Sequence, residues 1–515
     1  MRRALLALAL AGMAALIVVL TSSSGTQPPT TGAAAVVPAD ALAYVHVSTD
    51  PSRSAVKDAL ALGPRFPSYP LAAAQVLSRL TALIGGGAPV DFRRDIRPWL
   101  GREVALALLN SAGSTAGSEL VLDVSRPAAA RAFIARAGAL PDDSYRGTKL
   151  YRYRSGSTLA FVGHYLVLGQ GASVREAVDA DRGAVRSLAA SSDYRSAAAG
   201  EPADRVVDAY VSSDGVQRLL IPQGGLFAAL GTLLEQPTLT GATISLSASG
   251  STARLRIHSA FARAGASRSF APSLDQLLPA GTMLDLDLTG IAHSAPRVLG
   301  AAASLGIAGR VGPLLTRLGD ALHAEGVDLG RVESLFSGET AVAIGPGSAL
   351  TVLTRVKNER ATSTELANLE IPLSQLFPAP ASGSGQVPQF TDRKVHGVTA
   401  HQLSLGTGLR LNYTVFHGLL VISTSLAGIG AVADHSHSLA GEQAYRATAG
   451  DHSSQVTSLV FLDFSQLLDL AGRTGLLRGA RLEALRPDIE RIRAAGLDST
   501  RGEVDSTAEL TLEIK

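Results

Sequence analysis

The chain has 515 residues, 46% of them hydrophobic and 17% charged, and a formal net charge of +2. This length allows about two to four domains with packed cores, whereas a charge so close to zero and only 5% aromatic residues argue against a nucleic-acid partner. The chain has no cysteine, which excludes disulfides, thiolate metal sites, cysteine nucleophiles and lipid attachment at a cysteine.

The first element along the chain is an export segment. Arg2 and Arg3 precede an uncharged apolar run, Ala4–Leu20, and a polar stretch with two prolines follows. This order is typical of a signal peptide or an N-terminal membrane anchor. At 17 residues the run is longer than the usual signal-peptide core of about 7–15 residues and shorter than a membrane span of roughly 20. Because the Ala-x-Ala pattern after the run, Ala33–Ala35, lies well beyond its end, the sequence favours an uncleaved single-pass anchor with an extracytoplasmic body; cleavage would give a secreted protein.

The rest of the chain shows an internal duplication. A Pro-Ala turn followed by an extended apolar run occurs at Val37–Val47 and again at Leu278–Leu288. A Tyr-Arg pair followed by alanine and glycine occurs at Tyr194 and again at Tyr445. Further blocks recur in the same order, about 240 to 255 residues apart, which is the signature of a repeated structural unit.

Each repeat is predicted to be α+β, with a largely antiparallel sheet and helices packed on one face. Strand pairs joined by short turns, as in Leu159–Leu168, require antiparallel pairing. Helical periodicity is clearest at Pro296–Gly326 and Arg478–Ala495. The predicted parts are a signal peptide or membrane anchor with a flexible linker at 1–35, a first α+β repeat at 36–262 and a second at 275–515.

Two motifs together carry a family resemblance. The first is Pro38-Ala39-Asp40 followed by Tyr44-Val-x-Val47, and the second is Asp95-Ile-x-Pro98-Trp99-Leu100-Gly101. With these motifs the chain resembles the bacterial domain-of-unknown-function family numbered 3352. The resemblance implies an exported or membrane-anchored protein, often from actinobacteria, with no established activity and no assigned catalytic residues.

Trp99 is the only tryptophan of the chain. Pro98 fixes its own φ angle and Gly101 permits a left-handed residue, so the motif predicts a turn that docks Trp99 onto the core. The alternative is a binding platform built on Trp99. The second repeat has Leu335-Phe-Ser where the first has Pro-Trp-Leu, so either role belongs to one repeat only.

Histidines are the best candidates for a metal site. Asp434, His435 and His437 offer two imidazoles and a carboxylate, a set that could hold Zn²⁺, and His452 follows. They lie in a Ser/Ala/Gly-rich loop, where solvated histidines are an equally simple interpretation. A second set, His396, His401 and His417, could meet across strands, although no spacing rule requires it; the sequence assigns no metal ligand in either case.

Other chemical motifs also favour structural interpretations. The run Gly428–Ala433 matches a dinucleotide-binding pattern, but the strand before it ends a hairpin, and such a site requires a parallel βαβ unit. The carboxylates Asp40, Asp50, Asp285 and Asp287 are expected at turns and strand starts, where aspartate bonds to the backbone. We therefore predict no catalytic, cofactor-binding or metal-binding residues and no cofactor.

The sequence favours a non-enzymatic protein of the cell envelope that contacts the membrane through its N-terminal segment and binds a lipid, another apolar ligand or a protein partner. Two similar units could form a groove for such a ligand. One alternative is an envelope hydrolase whose site includes His435 and His437, and another is a structural spacer. A deep apolar cavity would favour the carrier, convergent polar groups in a cleft the hydrolase, and neither feature the spacer.

Overall fold

The structure is a computed structural model that describes most of the chain after the export segment. The described residues are 29, 31–110, 117–223, 231, 234, 236–263, 265, 268–290, 332, 334–375, 388–404, 410–434, 436–474 and 480–515. Within these ranges no helix is both long enough and apolar enough to cross a membrane. The apolar run Ala4–Leu20 and the predicted helix Pro296–Gly326 lie outside the described residues.

The chain divides into two compact units. Unit 1 comprises residues 1–264, 503–509 and 514–515, and unit 2 comprises residues 265–502 and 510–513. The division after residue 264 lies between the two predicted repeats, 36–262 and 275–515. The last strand contributes residues to both units.

Unit 1 contains one antiparallel sheet. Its strands in chain order are β1 (Ala43–Ser48), β2 (Leu100–Leu109), β3 (Gly117–Val124), β4 (Leu140–Tyr145), β5 (Thr148–Arg152), β6 (Thr158–Val162), β7 (Tyr165–Gly169), β8 (Arg205–Ser212), β9 (Leu239–Ser249) and β10 (Thr252–Phe261). Their order across the sheet is β4-β5-β6-β7-β3-β2-β1-β8-β9-β10. The predicted α+β class with a largely antiparallel sheet is confirmed.

Helices of unit 1 follow the apolar periodicity of their sequence. They are α1 (Ser54–Leu62), α2 (Tyr69–Ile84), α3 (Pro127–Arg136), α4 (Gly171–Asp181) and α5 (Ser192–Ala198). In α2 the buried residues Ala73, Val76, Leu80 and Ile84 recur at three- and four-residue intervals, so one face of the helix packs on the core.

The helices of unit 1 pack on both faces of the sheet, not on one face as predicted. Because side chains alternate along a strand, Val45 of β1 lies on one face and Tyr44 on the other. Val45 joins a core cluster that contains residues of α1, α2 and α3, and Tyr44 joins a cluster that contains residues of α4 and α5. We call these sides the tryptophan face and the histidine face, after Trp99 and His46.

Folded structure begins before the predicted start of the first repeat at residue 36. Gly32–Ala35 form a short 3-10 helix, and Ala33 and Ala34 are buried in the core of the histidine face. The backbone N–H of Ala33 also donates to the Glu103 carboxylate over 3.3 Å. The linker predicted at 1–35 therefore ends earlier, because small side chains allow this segment to pack closely.

Trp99 is a structural anchor of unit 1. Its side chain is 1% exposed, its indole N–H donates to the backbone oxygen of Asp95 over 2.7 Å, and its ring lies 5.5 Å from that of Phe133. The binding-platform alternative is wrong, because a ring this buried offers no surface to a partner. Gly101 is not left-handed as predicted; it lies in β2, where a side chain would collide with Asp123.

Unit 2 repeats the same kinds of elements. Its strands are β11 (Leu284–Thr289), β12 (Glu339–Ile344), β13 (Leu350–Arg355), β14 (Phe390–Val395), β15 (Val398–Ser404), β16 (Arg410–Phe416), β17 (Leu419–Ser423), β18 (Ser458–Asp463) and β19 (Ile492–Arg501), before the last strand β20 (Asp505–Ile514). Its helices are α6 (Glu359–Gln375), α7 (Leu426–Asp434), α8 (Gln443–Thr448), α9 (Phe464–Thr474) and α10 (Ala480–Ile489). The helix predicted at Arg478–Ala495 is shorter than expected, because its last residues begin β19 and pair with β18.

The sheet of unit 2 has the same strand order as the sheet of unit 1 from β4 to β9. Across the sheet, the order in unit 2 is β14-β15-β16-β17-β13-β12-β11-β18-β19. All these pairings are antiparallel. The correspondence gives each position of β1 a matching position in β11, which allows the chemistry of the two central strands to be compared. The tandem duplication itself stays a prediction.

Replacing Trp99 by alanine is expected to destabilise unit 1 by about 3–5 kcal/mol, because it removes a buried aromatic ring and leaves a cavity. Trp99→Phe, which keeps an aromatic ring at the same place, should cost clearly less. Urea unfolding followed by far-ultraviolet circular dichroism measures both. Equal unfolding midpoints for Trp99→Ala and the unsubstituted chain would contradict the anchoring role.

Candidate functional site

An apolar pocket lies on the tryptophan face of unit 1. Its cavity volume is about 40 Å³, within about 510 Å³ of empty space that includes open solvent. Strands β1, β2, β8 and β9 form its floor, and the helical segment Val216–Leu220 contributes to its wall. The lining residues are Ala43, Val45, Leu106, Leu108, Ala209, Tyr210, Val211, Leu219, Leu220 and Ile244. Nine of these ten side chains are purely hydrocarbon, so the pocket suits an apolar ligand.

Strand alternation produces this pocket from the sequence. Ala43 and Val45 of β1 point to the tryptophan face, while Tyr44 and His46 between them point to the histidine face. The register places Leu106 opposite Val45. Because the central strand supplies small side chains here, the sheet surface leaves space between the neighbouring core clusters.

On the histidine face, His46 lies at the centre of a buried polar cluster. Its Nδ1 lies 2.9 Å from the Asp208 Oδ1, and its Nε2 lies 3.4 Å from the Glu103 Oε2. All three side chains are at most 2% exposed. The antiparallel register explains the first contact, since His46 of β1 and Asp208 of β8 are directly opposite.

The cluster extends from Asp208 to a second cation. Arg205 Nε donates to the same Asp208 oxygen over 2.9 Å, and Arg205 Nη2 lies 3.0 Å from the Glu201 Oε2. On the other side, the hydroxyl of Tyr165 donates to Glu103 over 2.7 Å. Basic and acidic groups therefore alternate along the cluster, as burial of ionisable side chains requires.

The electrostatics favour a charged histidine. Burial lowers the pKa of His46, but the negative charges and hydrogen bonding of Asp208 and Glu103 outweigh burial and raise that pKa to about 9. Burial also opposes ionisation of Asp208, yet His46 and Arg205 hold the pKa of Asp208 below its usual value. Burial and the nearby Asp208 charge raise the pKa of Glu201 to about 8. Within the described residues, the side chains that pair with His46 are two carboxylates, an arrangement suited to structural ion pairing.

The corresponding positions of unit 2 carry different chemistry. By strand register, Asp285 and Asp287 of β11 correspond to Tyr44 and His46 of β1. Both aspartates are 0% exposed. The position that matches Asp208 is the apolar Leu459, so unit 2 replaces a histidine–aspartate pair with an aspartate opposite leucine.

Sequence reasoning assigned the wrong environment to these two aspartates. Asp285 and Asp287 lie inside β11 and are fully buried, instead of serving a turn or strand start. Asp50, in contrast, accepts hydrogen bonds from the Ser52 backbone and hydroxyl, as predicted, and Asp40 is exposed in a turn. The difference arises because residues from other parts of the chain cover the face to which Asp285 and Asp287 point.

The predicted histidine candidates do not converge. His437 is exposed and lies 3.2 Å from the Ser436 hydroxyl, His452 lies 2.9 Å from the backbone oxygen of Ser453, and His435 is outside the described residues. Across the described ranges, no group of three or more His, Asp or Glu side chains could hold a metal ion.

The second set of histidines is split between turns and a strand. His396 and His417 occupy hairpin turns with positive φ angles of 44° and 48°. His401 lies in β15, 3.1 Å from Asp392 and 3.3 Å from Glu370, and its ring stacks on Tyr413 at 4.7 Å. The turn histidines therefore serve backbone geometry, and His401 belongs to a half-exposed polar group.

The glycine-rich run Gly428–Ala433 lies within helix α7. The strand before it, β17, pairs antiparallel with both β13 and β16, so the parallel unit required for dinucleotide binding is absent from this described region. A side chain at Gly428 would collide with Ser423, and one at Gly430 would press on His396. The glycines therefore allow the helix to pack closely.

The sequence alone does not single out His46, Glu103 or Asp208. The signal in the sequence that could have found the cluster is a histidine between two valines in an apolar strand. When both faces of the sheet are covered, such a histidine is buried and needs a hydrogen-bond or ion-pair partner. Its partners lie 57 and 162 residues away along the chain, and no local motif connects them.

Fold and site together define a two-unit α+β protein in which antiparallel sheets bury ionisable clusters. The pattern of the family described as "Protein of unknown function (DUF3352)" matches residues 3–514, so the chain belongs to this family and the predicted resemblance is confirmed. No curated protein matches the chain. Two similar solved structures are crystal forms I and III of TP0453, with sequence identities of 14% and 13% to this chain. Each alignment covers 46% of this chain. It covers 82% of the TP0453 chain in form I and 83% in form III, with a TM-score of 0.26 in both cases. Similarity at this level carries no argument about function.

Replacing His46 by glutamine is expected to destabilise unit 1 by about 3–5 kcal/mol at pH 7, because Asp208 and Glu103 lose a buried cation. The folded-state pKa of His46, about 9, exceeds the unfolded value of about 6.5. Its stabilisation is therefore complete below about pH 6.5 and is lost as the pH rises through about 9. Urea unfolding at several pH values, followed by Trp99 fluorescence, measures the effect.

His164→Gln is the matched control, because this histidine is 64% exposed and should tolerate the change. In the double variant His46→Gln/Asp208→Asn, the loss should be smaller than the sum of the single losses. Equal stabilities of His46→Gln and His164→Gln would show that the buried pairing does not stabilise the fold.

Proposed function

We propose that this protein is a non-enzymatic, extracytoplasmic protein of the cell envelope that binds an apolar ligand in the pocket of unit 1. The observation that carries the proposal is the pocket's lining of nine hydrocarbon side chains and Tyr210 on a sheet surface. Burial of an apolar ligand against such a surface is favoured by about 25 cal/mol per Å² of area removed from water. The sequence supports the location through its export segment, Ala4–Leu20.

The position of the pocket also supports binding over catalysis. The ionisable cluster around His46 points to the opposite face of the same strands, so its polar atoms do not face the pocket. A ligand in the pocket would contact Val45 and Leu106 instead. The chemistry available to it is therefore contact with hydrocarbon groups, which suits the acyl part of a lipid or a similar apolar molecule.

The full chain, purified in detergent from its own host, should carry one bound lipid or other apolar molecule in native mass spectrometry. Ala43→Phe should reduce the bound fraction about tenfold or more, because Ala43 lines the pocket and is only partly buried, so a larger side chain can occupy the space of the ligand. Solvent extraction and mass spectrometry then identify the ligand class.

Ala253→Phe is the matched control, because Ala253 is also a partly buried strand alanine of unit 1 and does not line the pocket. It should retain the ligand. A chain free of any small molecule would refute the carrier, and equal loss of ligand in both variants would place the binding elsewhere. Turnover of the extracted molecule by the purified chain would instead indicate the hydrolase.

A further inference from the structure

Unit 2 contains a group of buried carboxyl side chains that neither the pocket nor the ion pairs of unit 1 explain. Asp285 and Asp287 project from the same face of β11, and Asp275 lies in the 3-10 helix Leu274–Gln276. Asp275 is 6% exposed and the other two are 0% exposed. Within the described ranges, neither oxygen of Asp285 has a hydrogen-bond partner, nor does Oδ1 of Asp275, and the group that interacts with the Asp287 carboxyl is another acid, Glu339. We call these three residues the aspartate cluster.

Among the described residues, the groups around the cluster provide no cation for Asp285 or Asp287. On β12, Glu339 accepts from the backbone and hydroxyl of Ser273 and pairs with Arg355 at 3.3 Å. Tyr445 of α8 packs above the cluster; its pKa is raised by burial and by the nearby aspartates. On β18, the residues opposite Asp285 and Asp287 are apolar, Phe461 and Leu459. His452 also acts on the cluster, through an electrostatic interaction with Asp275.

Comparison with unit 1 shows what is missing. There, the corresponding strand position carries His46, which neutralises Asp208 and Glu103. In unit 2 the histidine position is an aspartate, and Leu459 stands in place of Asp208. Two ionised carboxylates on adjacent positions of one strand face, without a counter-ion, would be too costly in a buried site.

We propose that the aspartate cluster is a proton-binding site: Asp285 and Asp287 are carried as neutral acids in folded unit 2, and loss of their protons loosens the packing of β11 against Asp275 and Tyr445. The proton takes the place that the histidine cation has in unit 1. The cluster thus couples the folding of unit 2 to pH and operates independently of any ligand in unit 1.

The direction in which stability changes with pH follows from the proton affinities of the two aspartates in the native state. Burial and the neighbouring Asp275 and Glu339 charges raise the pKa of Asp285 to about 8, and burial with the Asp285 and Glu339 charges raises that of Asp287 to about 10. The folded chain therefore holds protons that the unfolded chain, with an aspartate pKa of about 3.9, has released. Stability falls as the pH rises wherever the native state binds more protons.

The test is thermal unfolding of the full chain between about pH 5 and pH 10. The unfolding midpoint of the unsubstituted chain should fall towards alkaline pH. In Asp285→Asn/Asp287→Asn, which mimics the neutral acids, the slope should correspond to about two fewer protons bound on folding near pH 6, and the midpoint at pH 9 should be higher than in the unsubstituted chain. Asp208→Asn is the matched control: it removes a paired buried aspartate from the corresponding region of unit 1 and should lower the midpoint near pH 7.

Infrared spectra of the unsubstituted chain give a second measurement that does not depend on the folding of a variant. The carbonyl signal of protonated carboxyl groups should be strongest at pH 6, fall as Asp285 loses its proton near pH 8, and fall further as Asp287 begins to lose its proton towards pH 10. Its absence at pH 6, or a pH profile that the double substitution leaves unchanged, would overturn the proposal. So would stoichiometric Ca²⁺ or Mg²⁺ in the purified chain that the double substitution removes, because a metal ion would then neutralise the cluster.

Discussion

Ionisable side chains on a central strand that is covered on both faces must be neutralised inside the fold, and the rest of each unit is arranged around that requirement. In unit 1, β1 brings His46 into register with Asp208, and β2 adds Glu103. The surrounding segments complete the cluster, since the backbone of Ala33 and the hydroxyl of Tyr165 both donate to Glu103. Removing any one of these charges leaves another buried and unpaired, which costs far more than the pair itself contributes.

Successive side chains of β1 point to opposite faces of the sheet, so the polar cluster and the apolar pocket lie on opposite sides of the same strand. The polar cluster occupies the histidine face, while Ala43 and Val45 floor an apolar pocket on the tryptophan face. The ion pairs therefore fix the strand that forms the pocket floor without placing a polar atom in it. Trp99, whose ring packs on Phe133, belongs to the core cluster on the same face. An apolar surface backed by an ion-paired polar layer is a suitable basis for ligand binding.

The two units share a strand order but not a chemistry. The central strand of unit 1 carries a histidine between two carboxylates, and that of unit 2 carries Asp285 and Asp287 beside apolar neighbours. A common backbone can accommodate both, because strand pairing uses main-chain groups and leaves the side chains free to differ. Family membership accordingly describes the architecture of the chain, and any function must be argued from the individual sites.

The sequence by itself determined the α+β class, the antiparallel hairpins, the family and the docking of Trp99. These features depend on residues that are close together in the chain, namely the alternation of apolar and polar residues, the turn residues and the local motifs. It did not reveal the cluster around His46, whose partners are distant in the chain, and it assigned Asp285 and Asp287 to turns or strand starts with bonds to the backbone, whereas both are fully buried. It also predicted helices on one face where unit 1 has them on both. Only the tertiary structure decided these points, because the burial and pairing of a side chain depend on which distant segments cover each face of the sheet.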